Sequence, residues 1–134
     1  MPKRAAVRTR LLLAGGIVSA LFALFHLVLG WQIHHAAGLP TPARGLMLAL
    51  NVGGTLFIIF LAYAFLFRGQ DLVSTGLGRA TLVAGAALYW SRAAEETFWF
   101  DPSAVIFVGC LFAGAIPAAL LALGRREDGV VGPP

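Results

Sequence analysis

The chain has 134 residues, of which 59% are hydrophobic and 12% are charged, and its formal net charge is +4. A soluble domain is about 45–50% apolar and about 25% charged, so this composition excludes an ordinary soluble globule as well as a disordered chain. It predicts an integral membrane protein, whose excess positive charge serves membrane orientation and contact with anionic lipid headgroups rather than nucleic-acid binding.

The first element combines a basic start with a long apolar run. Residues 1–10 contain Lys3, Arg4, Arg8 and Arg10 and are predicted to form a cytoplasmic N-terminal region. Residues 11–43 are uncharged, which is longer than the ~20 residues that a spanning helix needs. The end of this run, residues 38–42, has the composition of a loop, so the first helix is predicted near 11–34. The same pattern is typical of a secretory signal peptide, but the run exceeds the usual ~7–15 apolar residues, which favours an uncleaved helix.

The second element is predicted from the uncharged run 45–67. We expect a helix near 43–67, with Thr41 as its N-cap and Pro42 in its first turn. The segment 68–77 contains glycine, serine and threonine and is predicted to be a short loop.

The third element, predicted near 78–100, carries charge. Only 12 uncharged residues separate Arg79 from Arg92, so a crossing helix must take Arg92, Glu95 and Glu96 into the membrane. The alternative is a re-entrant segment beside three crossing helices. Four crossings place eight basic residues on one side and two on the other, and basic residues accumulate in the cytoplasm. We therefore prefer four crossings with both termini cytoplasmic.

The fourth element is predicted near 102–124, with Asp101 as its cap and Pro102 in the first turn. Small residues at every fourth position would allow close helix packing: Cys110, Gly114, Ala118 and Ala122. Residues 125–134 are predicted to be a mobile cytoplasmic tail. The predicted fold is thus all-α, a four-transmembrane-helix bundle in which residues 11–124 form a single domain.

Polar side chains on three predicted helices share one depth, towards the exoplasmic side. Charged groups in hydrocarbon turn towards the interior of a bundle or a wet cavity, so we expect these side chains to converge in a pocket open to that side. On the third helix, the polar face follows helical spacing. The candidate ligand-binding residues are His26, Asn51, Tyr89, Arg92, Glu95, Glu96 and Trp99.

Each part of this candidate site has a purely structural alternative. Arg92 with Glu95 or Glu96 is either part of the pocket or an internal ion pair that holds the helix in register. His26 is either hydrogen-bonded to Asn51 or to a carbonyl, or acts as a proton acceptor or ligand contact. With a single cysteine and no catalytic motif, the sequence assigns no metal ligand and no catalytic residue, and the cofactor stays unknown.

Short motifs on three helices carry a resemblance: Phe25-His26, Leu50-Asn51-Val52, Leu77-Gly78-Arg79 and Tyr89-Trp90-Ser91-Arg92. With these motifs the chain resembles a group of small bacterial four-helix membrane proteins of unknown function, and it is loosely similar in size and layout to DoxX-like membrane proteins. The resemblance implies a multi-pass protein of the bacterial plasma (inner) membrane in which His26, Asn51 and Arg92 form one site. It implies no activity.

The preferred functional hypothesis is a membrane protein that holds a small polar or amphipathic ligand, such as a lipid headgroup or a quinone. Arg92 would anchor the ligand, His26 and Asn51 would bond to it, and Glu95 or Glu96 would supply the counter-charge. One alternative is an accessory subunit of a larger membrane complex, or a homo-oligomer, in which the polar residues are structural. A membrane enzyme with His26 as base, or an oligomeric transporter, ranks below both.

Overall fold

The computed structural model describes residues 2–98 and 103–128. Five helices account for nearly all of these residues, and the described ranges contain no β-strand. The helices are α1 (Pro2–His35), α2 (Thr41–Phe67), α3 (Gly69–Ser74), α4 (Gly76–Phe98) and α5 (Ala104–Asp128). The prediction of an all-α fold is confirmed.

Three of the helices are long and apolar enough to cross a membrane: Arg4–His35, Thr41–Phe67 and Ala104–Gly124. Their outward surfaces are unusually apolar, since large side chains such as Leu24, Leu56 and Val108 are more than half exposed. A soluble protein rarely exposes apolar surface on this scale, whereas lipid tails cover it without cost. These features are those of a membrane protein.

The long helices pack in two close pairs, α1 with α2 and α4 with α5, and α1 also contacts α5. Short connections make the partners in each pair antiparallel. Gly15 of α1 allows close packing, because a Cβ at this position would lie 3.0 Å from the Phe65 ring and 3.2 Å from Ile116. The side chains buried in the core include Leu61, Phe65, Leu72, Leu82, Tyr89, Ile116 and Leu120.

The beginning of α1 and the end of α5 lie at the same end of the molecule, next to α3. Arg8 of α1 donates a hydrogen bond to Gln70 of α3, with 3.1 Å between Nη2 and Oε1. A Cβ on Gly124 of α5 would lie 3.7 Å from the main-chain oxygen of Val73. We call this the α3 end. The distal end is formed by the loop between α1 and α2, residues 36–40, and by the end of α4 and the start of α5.

The predicted loop at 68–77 is wrong, because the chain forms helix α3 within it. Arg68 and Asp71 form an ion pair of 2.5 Å across the first turn, and Leu72 and Val73 are buried against the other helices. Gly78 allows α3 to approach α4, because a Cβ there would lie 2.5 Å from the Cα atom of Leu72. The composition of the segment resembles a loop, but burial of two apolar side chains stabilises the helix.

The N-terminal ends of α1 and α2 differ from their predicted positions. Helix α1 begins at Pro2 instead of residue 11, since lysine, arginine and alanine before the apolar run are good helix formers. Helix α2 begins at Thr41, with Pro40 as N-cap and no side-chain cap hydrogen bond. The prediction that Thr41 caps α2 is therefore wrong, because this residue already belongs to the helix.

The ends of α5 also differ from prediction. The hydroxyl of Ser103, the residue before the helix, accepts a hydrogen bond from the Ile106 amide at 3.5 Å. The predicted cap, Asp101 with Pro102, lies outside the described residues. Helix α5 continues to Asp128, so the first four residues of the predicted mobile tail are helical, and residues 129–134 lie outside the described range.

Candidate functional site

Asn51 of α2 reaches α1 at the main chain of His26. Its Nδ2 donates a hydrogen bond to the His26 main-chain oxygen at 3.0 Å. Gly30, one turn further along α1, makes room for the amide, because a Cβ at Gly30 would lie 2.7 Å from Nδ2. Gly54 faces the imidazole from α2, and its Cβ would lie 3.7 Å from Cε1 of His26. Two glycines, one on each helix, thus accommodate the polar side chains between the helices.

Two buried atoms of this pair have no hydrogen-bond partner in the part of the chain that the structure describes: Nδ1 of His26 and Oδ1 of Asn51. The Asn51 side chain lies beside the imidazole as a weak hydrogen-bonding partner, but the contact does not reach the geometry of a full hydrogen bond. An unpaired polar group inside a membrane costs several kcal/mol, about the value of a lost hydrogen bond in hydrocarbon. These two atoms therefore have hydrogen-bonding capacity left for a polar partner.

Arg92 of α4 pairs with the carboxylates one turn further along its own helix. Its Nη2 forms an ion pair with Oε1 of Glu96, and its Nη1 lies 3.7 Å from Oε2 of Glu95. The side chain of Glu96 is 4% exposed, whereas that of Glu95 is 47% exposed. Of the two glutamates that the sequence left open, Glu96 is thus the buried counter-charge of Arg92.

Glu96 also joins α4 to the start of α5. Its Oε2 accepts a hydrogen bond from the main-chain amide of Ser103 at 3.3 Å. One carboxylate therefore holds the Arg92 guanidinium with one oxygen and the chain before α5 with the other. Sequence analysis missed Ser103, because nothing in the chain's composition indicates where α5 begins relative to Glu96.

Arg92 lies within electrostatic range of polar groups on α1 and α5. The guanidinium is near enough to interact electrostatically with the imidazole of His26 and with the thiol of Cys110. Cys110 is fully buried on α5, where sequence analysis treated it only as a small packing residue. We use the name polar cluster for His26 and Asn51, which are in contact between α1 and α2, together with Arg92 and Glu96, which are paired on α4.

Of the remaining predicted site residues, the structure describes Tyr89 and Glu95. Tyr89 is buried in the core, where its hydroxyl donates a hydrogen bond to Ser19 Oγ at 3.0 Å and its ring lies 5.3 Å from that of Phe22. It therefore links α4 to α1. Glu95 is at the surface, and Trp99 lies outside the described residues. From the sequence, Ser19 could be placed only on the same helix face as His26, seven positions earlier, without any indication that it bonds to Tyr89.

Arg44 has a structural role that its position in the sequence does not reveal. Its Nη2 donates to the main-chain oxygens of Ala36 at 2.8 Å and Leu39 at 3.3 Å, in the loop that follows α1. Carbonyl groups at a helix end have no partner within the helix, and a guanidinium satisfies them well. Gly38, with φ of +83°, makes the turn between them.

The side chains of the polar cluster determine which groups it could bind. A guanidinium with a buried counter-charge, an imidazole and an amide can hold an anionic or strongly polar group through charge-assisted hydrogen bonds. Among the described residues, no three histidine, cysteine, aspartate or glutamate side chains are grouped so that they could hold a metal ion.

No protein-family model matches the chain, and neither a curated protein nor a solved structure matches it. The resemblance to DoxX-like membrane proteins stays a prediction.

Proposed function

We propose that the protein is a multi-pass membrane protein that binds a small polar or amphipathic ligand at the polar cluster. The observation that carries this proposal is the pair of buried atoms without a partner in the described chain, His26 Nδ1 and Asn51 Oδ1. Buried polar atoms are almost always hydrogen-bonded, so two atoms that have only this weak mutual contact retain the capacity to bond to a ligand. A lipid headgroup or a quinone carries suitable polar atoms.

Each member of the polar cluster has a distinct role in this proposal. Arg92 binds an anionic or electron-rich oxygen of the ligand, while Glu96 keeps the guanidinium in position. Asn51 and His26 form hydrogen bonds with the ligand from the other side. The cluster contains no activated nucleophile, so the proposal is binding and not catalysis.

The proposed arrangement in the membrane has four crossings, formed by α1, α2, α4 and α5. Helix α4 has 23 residues and is about 34 Å long, enough for a hydrocarbon core of about 30 Å. The start of α1 and the end of α5 share the α3 end, which supports an even number of crossings. Arg8, Arg68 and Arg79 lie at that end, so we assign it to the cytoplasm and the polar cluster to the exoplasmic half of a bacterial plasma membrane.

A second candidate is an accessory subunit of a larger membrane complex, in which the polar cluster only stabilises the fold. The contacts of Glu96 with Arg92 and with Ser103 favour it, because they hold α4 and α5 in place. Extraction in mild detergent separates the two candidates. A stable complex with other chains supports the subunit, whereas a chain that retains a small molecule supports the binding protein.

The test identifies small molecules that copurify with the protein from its own membrane. Wild type is compared with Arg92→Ala, Asn51→Leu and a matched control, Ser91→Ala, which removes an exposed hydroxyl bonded to Leu88 O at 2.9 Å. We expect one compound to be retained by wild type and control and to fall about tenfold in the two cluster variants, since one good hydrogen bond is worth about that factor. All four proteins should accumulate in the membrane. Equal retention by all would refute the proposal.

A further inference from the structure

A groove lies at the α3 end, opposite to the polar cluster. Its volume is about 540 Å³, and it is lined on α1 by Thr9, Leu12 and Leu13 and on the other side by residues 65–71. None of these residues belongs to the polar cluster. The groove therefore offers a binding surface that is independent of the proposed function.

The lining of the groove changes from apolar to polar along the helices. Leu12 and Leu13, with residues 65–67, form the apolar part, where the uncharged run of α1 begins and α2 ends. Thr9 and residues 68–71 form the polar part. Because hydrophobic spans end where hydrocarbon gives way to headgroups, the groove lies across that boundary.

The polar part of the groove carries one ion pair, Arg68 with Asp71, and basic side chains lie around it. Arg68 is 61% exposed and bonds to Asp71, through Nε at 2.6 Å and Nη2 at 2.5 Å. The hydrogen bond and the charge of Asp71 raise the pKa of Arg68, which is positively charged at any physiological pH. Arg8 stands across from it, bonded to Gln70 at 3.1 Å. The other charged side chains described at this end are basic: Arg4, Arg10 and Arg79.

We infer that this groove binds an anionic phospholipid of the surrounding leaflet. The phosphate lies at Arg68, within the field of Arg8, and one acyl chain follows the apolar part along Leu13 and Phe67. Both of these side chains are more than half exposed, so the groove is open on the side from which lipid arrives. In this arrangement Asp71 competes with the phosphate for Arg68.

The two parts of the groove together distinguish this occupant from others. A free phosphate would use the guanidinium but leave the apolar part uncovered. A zwitterionic lipid would use the apolar part, but its net charge is zero, and each basic residue near the surface favours an anionic lipid about fivefold. Only a lipid with a net negative charge uses both parts.

The experiment is native mass spectrometry of the full chain in detergent, titrated with phosphatidylglycerol or with phosphatidylcholine of the same acyl chains. We expect one tightly bound phosphatidylglycerol and weaker binding of phosphatidylcholine. Arg68→Gln should lower the affinity for phosphatidylglycerol about fivefold, and Asp71→Asn should raise it. The matched control is Arg10→Gln, which removes a charge at the same end but outside the groove and should have little effect.

Several results would overturn this inference. An equal loss of affinity for phosphatidylglycerol in Arg10→Gln and Arg68→Gln would indicate that the basic end attracts the lipid without a defined site. Equal affinities for the two lipids would show that the groove does not select for the charge of the headgroup. Displacement of the lipid by millimolar inorganic phosphate would indicate a site for a free anion. Loss of phosphatidylglycerol in Asn51→Leu but not in Arg68→Gln would assign the lipid to the polar cluster instead. Circular dichroism should show the same helix content in all variants.

Discussion

The side chain of Asn51 donates a hydrogen bond to the main-chain oxygen of His26 at 3.0 Å, across the contact between α1 and α2. Within α1, that oxygen already accepts the main-chain hydrogen bond of the helix. The Asn51 amide donates to the second lone pair of the same oxygen, so the main-chain hydrogen bonds of α1 stay intact. The bond fixes the amide beside the imidazole. It also leaves Oδ1 of Asn51 and Nδ1 of His26 for a partner outside the described chain.

Gly30→Ala should displace the Asn51 amide and lower ligand retention about tenfold. The new Cβ would lie 2.7 Å from Nδ2, and the end of a side chain can move away from it, so the helices stay packed while the hydrogen bond is lost. Gly53→Ala is the control, because a Cβ there has no neighbour within 4 Å in the described structure. Copurification of small molecules measures the effect. Equal retention by the two variants would contradict the role of Gly30.

Glu96→Gln should lower the free energy of unfolding by about 1–3 kcal/mol, because the charge of Arg92 loses its buried counter-charge. Glu95→Gln should change it by less than about 0.5 kcal/mol, since that side chain is 47% exposed. Unfolding in mixtures of mild detergent and dodecyl sulfate provides the measurement. If the Glu95 variant is the less stable of the two, the assignment of the counter-charge is wrong.

Tyr89 and Ser19 should show a coupling of about 0.6 kcal/mol in a double-mutant cycle, and at most about 1.7 kcal/mol. The cycle uses Tyr89→Phe and Ser19→Ala, which remove the two hydroxyls of one buried hydrogen bond between α4 and α1. Ligand retention should not change, because the bond belongs to the core. Additive effects of the two substitutions on the free energy of unfolding would show that the hydrogen bond does not stabilise the fold. A loss of ligand in either variant would indicate that Tyr89 belongs to the binding site after all.

Gly78→Ala should destabilise the protein by about 1–3 kcal/mol, because its Cβ would lie 2.5 Å from the Cα atom and 2.7 Å from the main-chain oxygen of Leu72. Backbone atoms cannot rotate away as a side chain does. Gly76→Ala, at the start of the same helix, meets nothing within 4 Å in the described structure and should be neutral or stabilising by up to about 1 kcal/mol. Thermal unfolding in detergent should separate them, and equal stabilities would refute the close approach of α3 and α4.

Cysteine labelling with a membrane-impermeant maleimide tests the four crossings. The native Cys110 is fully buried and should give little background. Four crossings place Ala37→Cys and Thr97→Cys on one side of the membrane and Ser74→Cys on the other. A re-entrant α4 would instead put Thr97→Cys on the same side as Ser74→Cys. Labelling of intact cells and of inverted vesicles decides between them.

The sequence predicts the long apolar helices well, because a run of uncharged residues determines a spanning helix without reference to its neighbours. Helices α1, α2 and α5 follow from such runs. Helix α3 could not be predicted in this way. Its six residues include glycine, glutamine and serine, and the helix depends on the burial of Leu72 and Val73 against helices distant in sequence.

Within the candidate site, helical spacing identified the polar face but not its contacts. Glu95 and Glu96 both lie within reach of Arg92 along α4, and only the packed structure, with Ser103 against Glu96, shows which of them is buried. Tyr89 lies on the same face of α4, but it is level with Ser19 of α1. Its hydroxyl therefore bonds to Ser19 in the core and does not join the polar cluster. Such distinctions depend on how far one helix is shifted along another, which a single sequence does not encode locally.

The most direct test of the proposed binding site is native mass spectrometry of the intact protein, extracted from its own membrane in mild detergent. We predict a reproducible added mass, too small for a protein chain and distinct from any lipid that is lost in Arg68→Gln, that is present in wild type and Arg68→Gln and absent from Asn51→Leu. Absence of such a mass from wild type, or its survival in Asn51→Leu, would contradict ligand binding at the polar cluster.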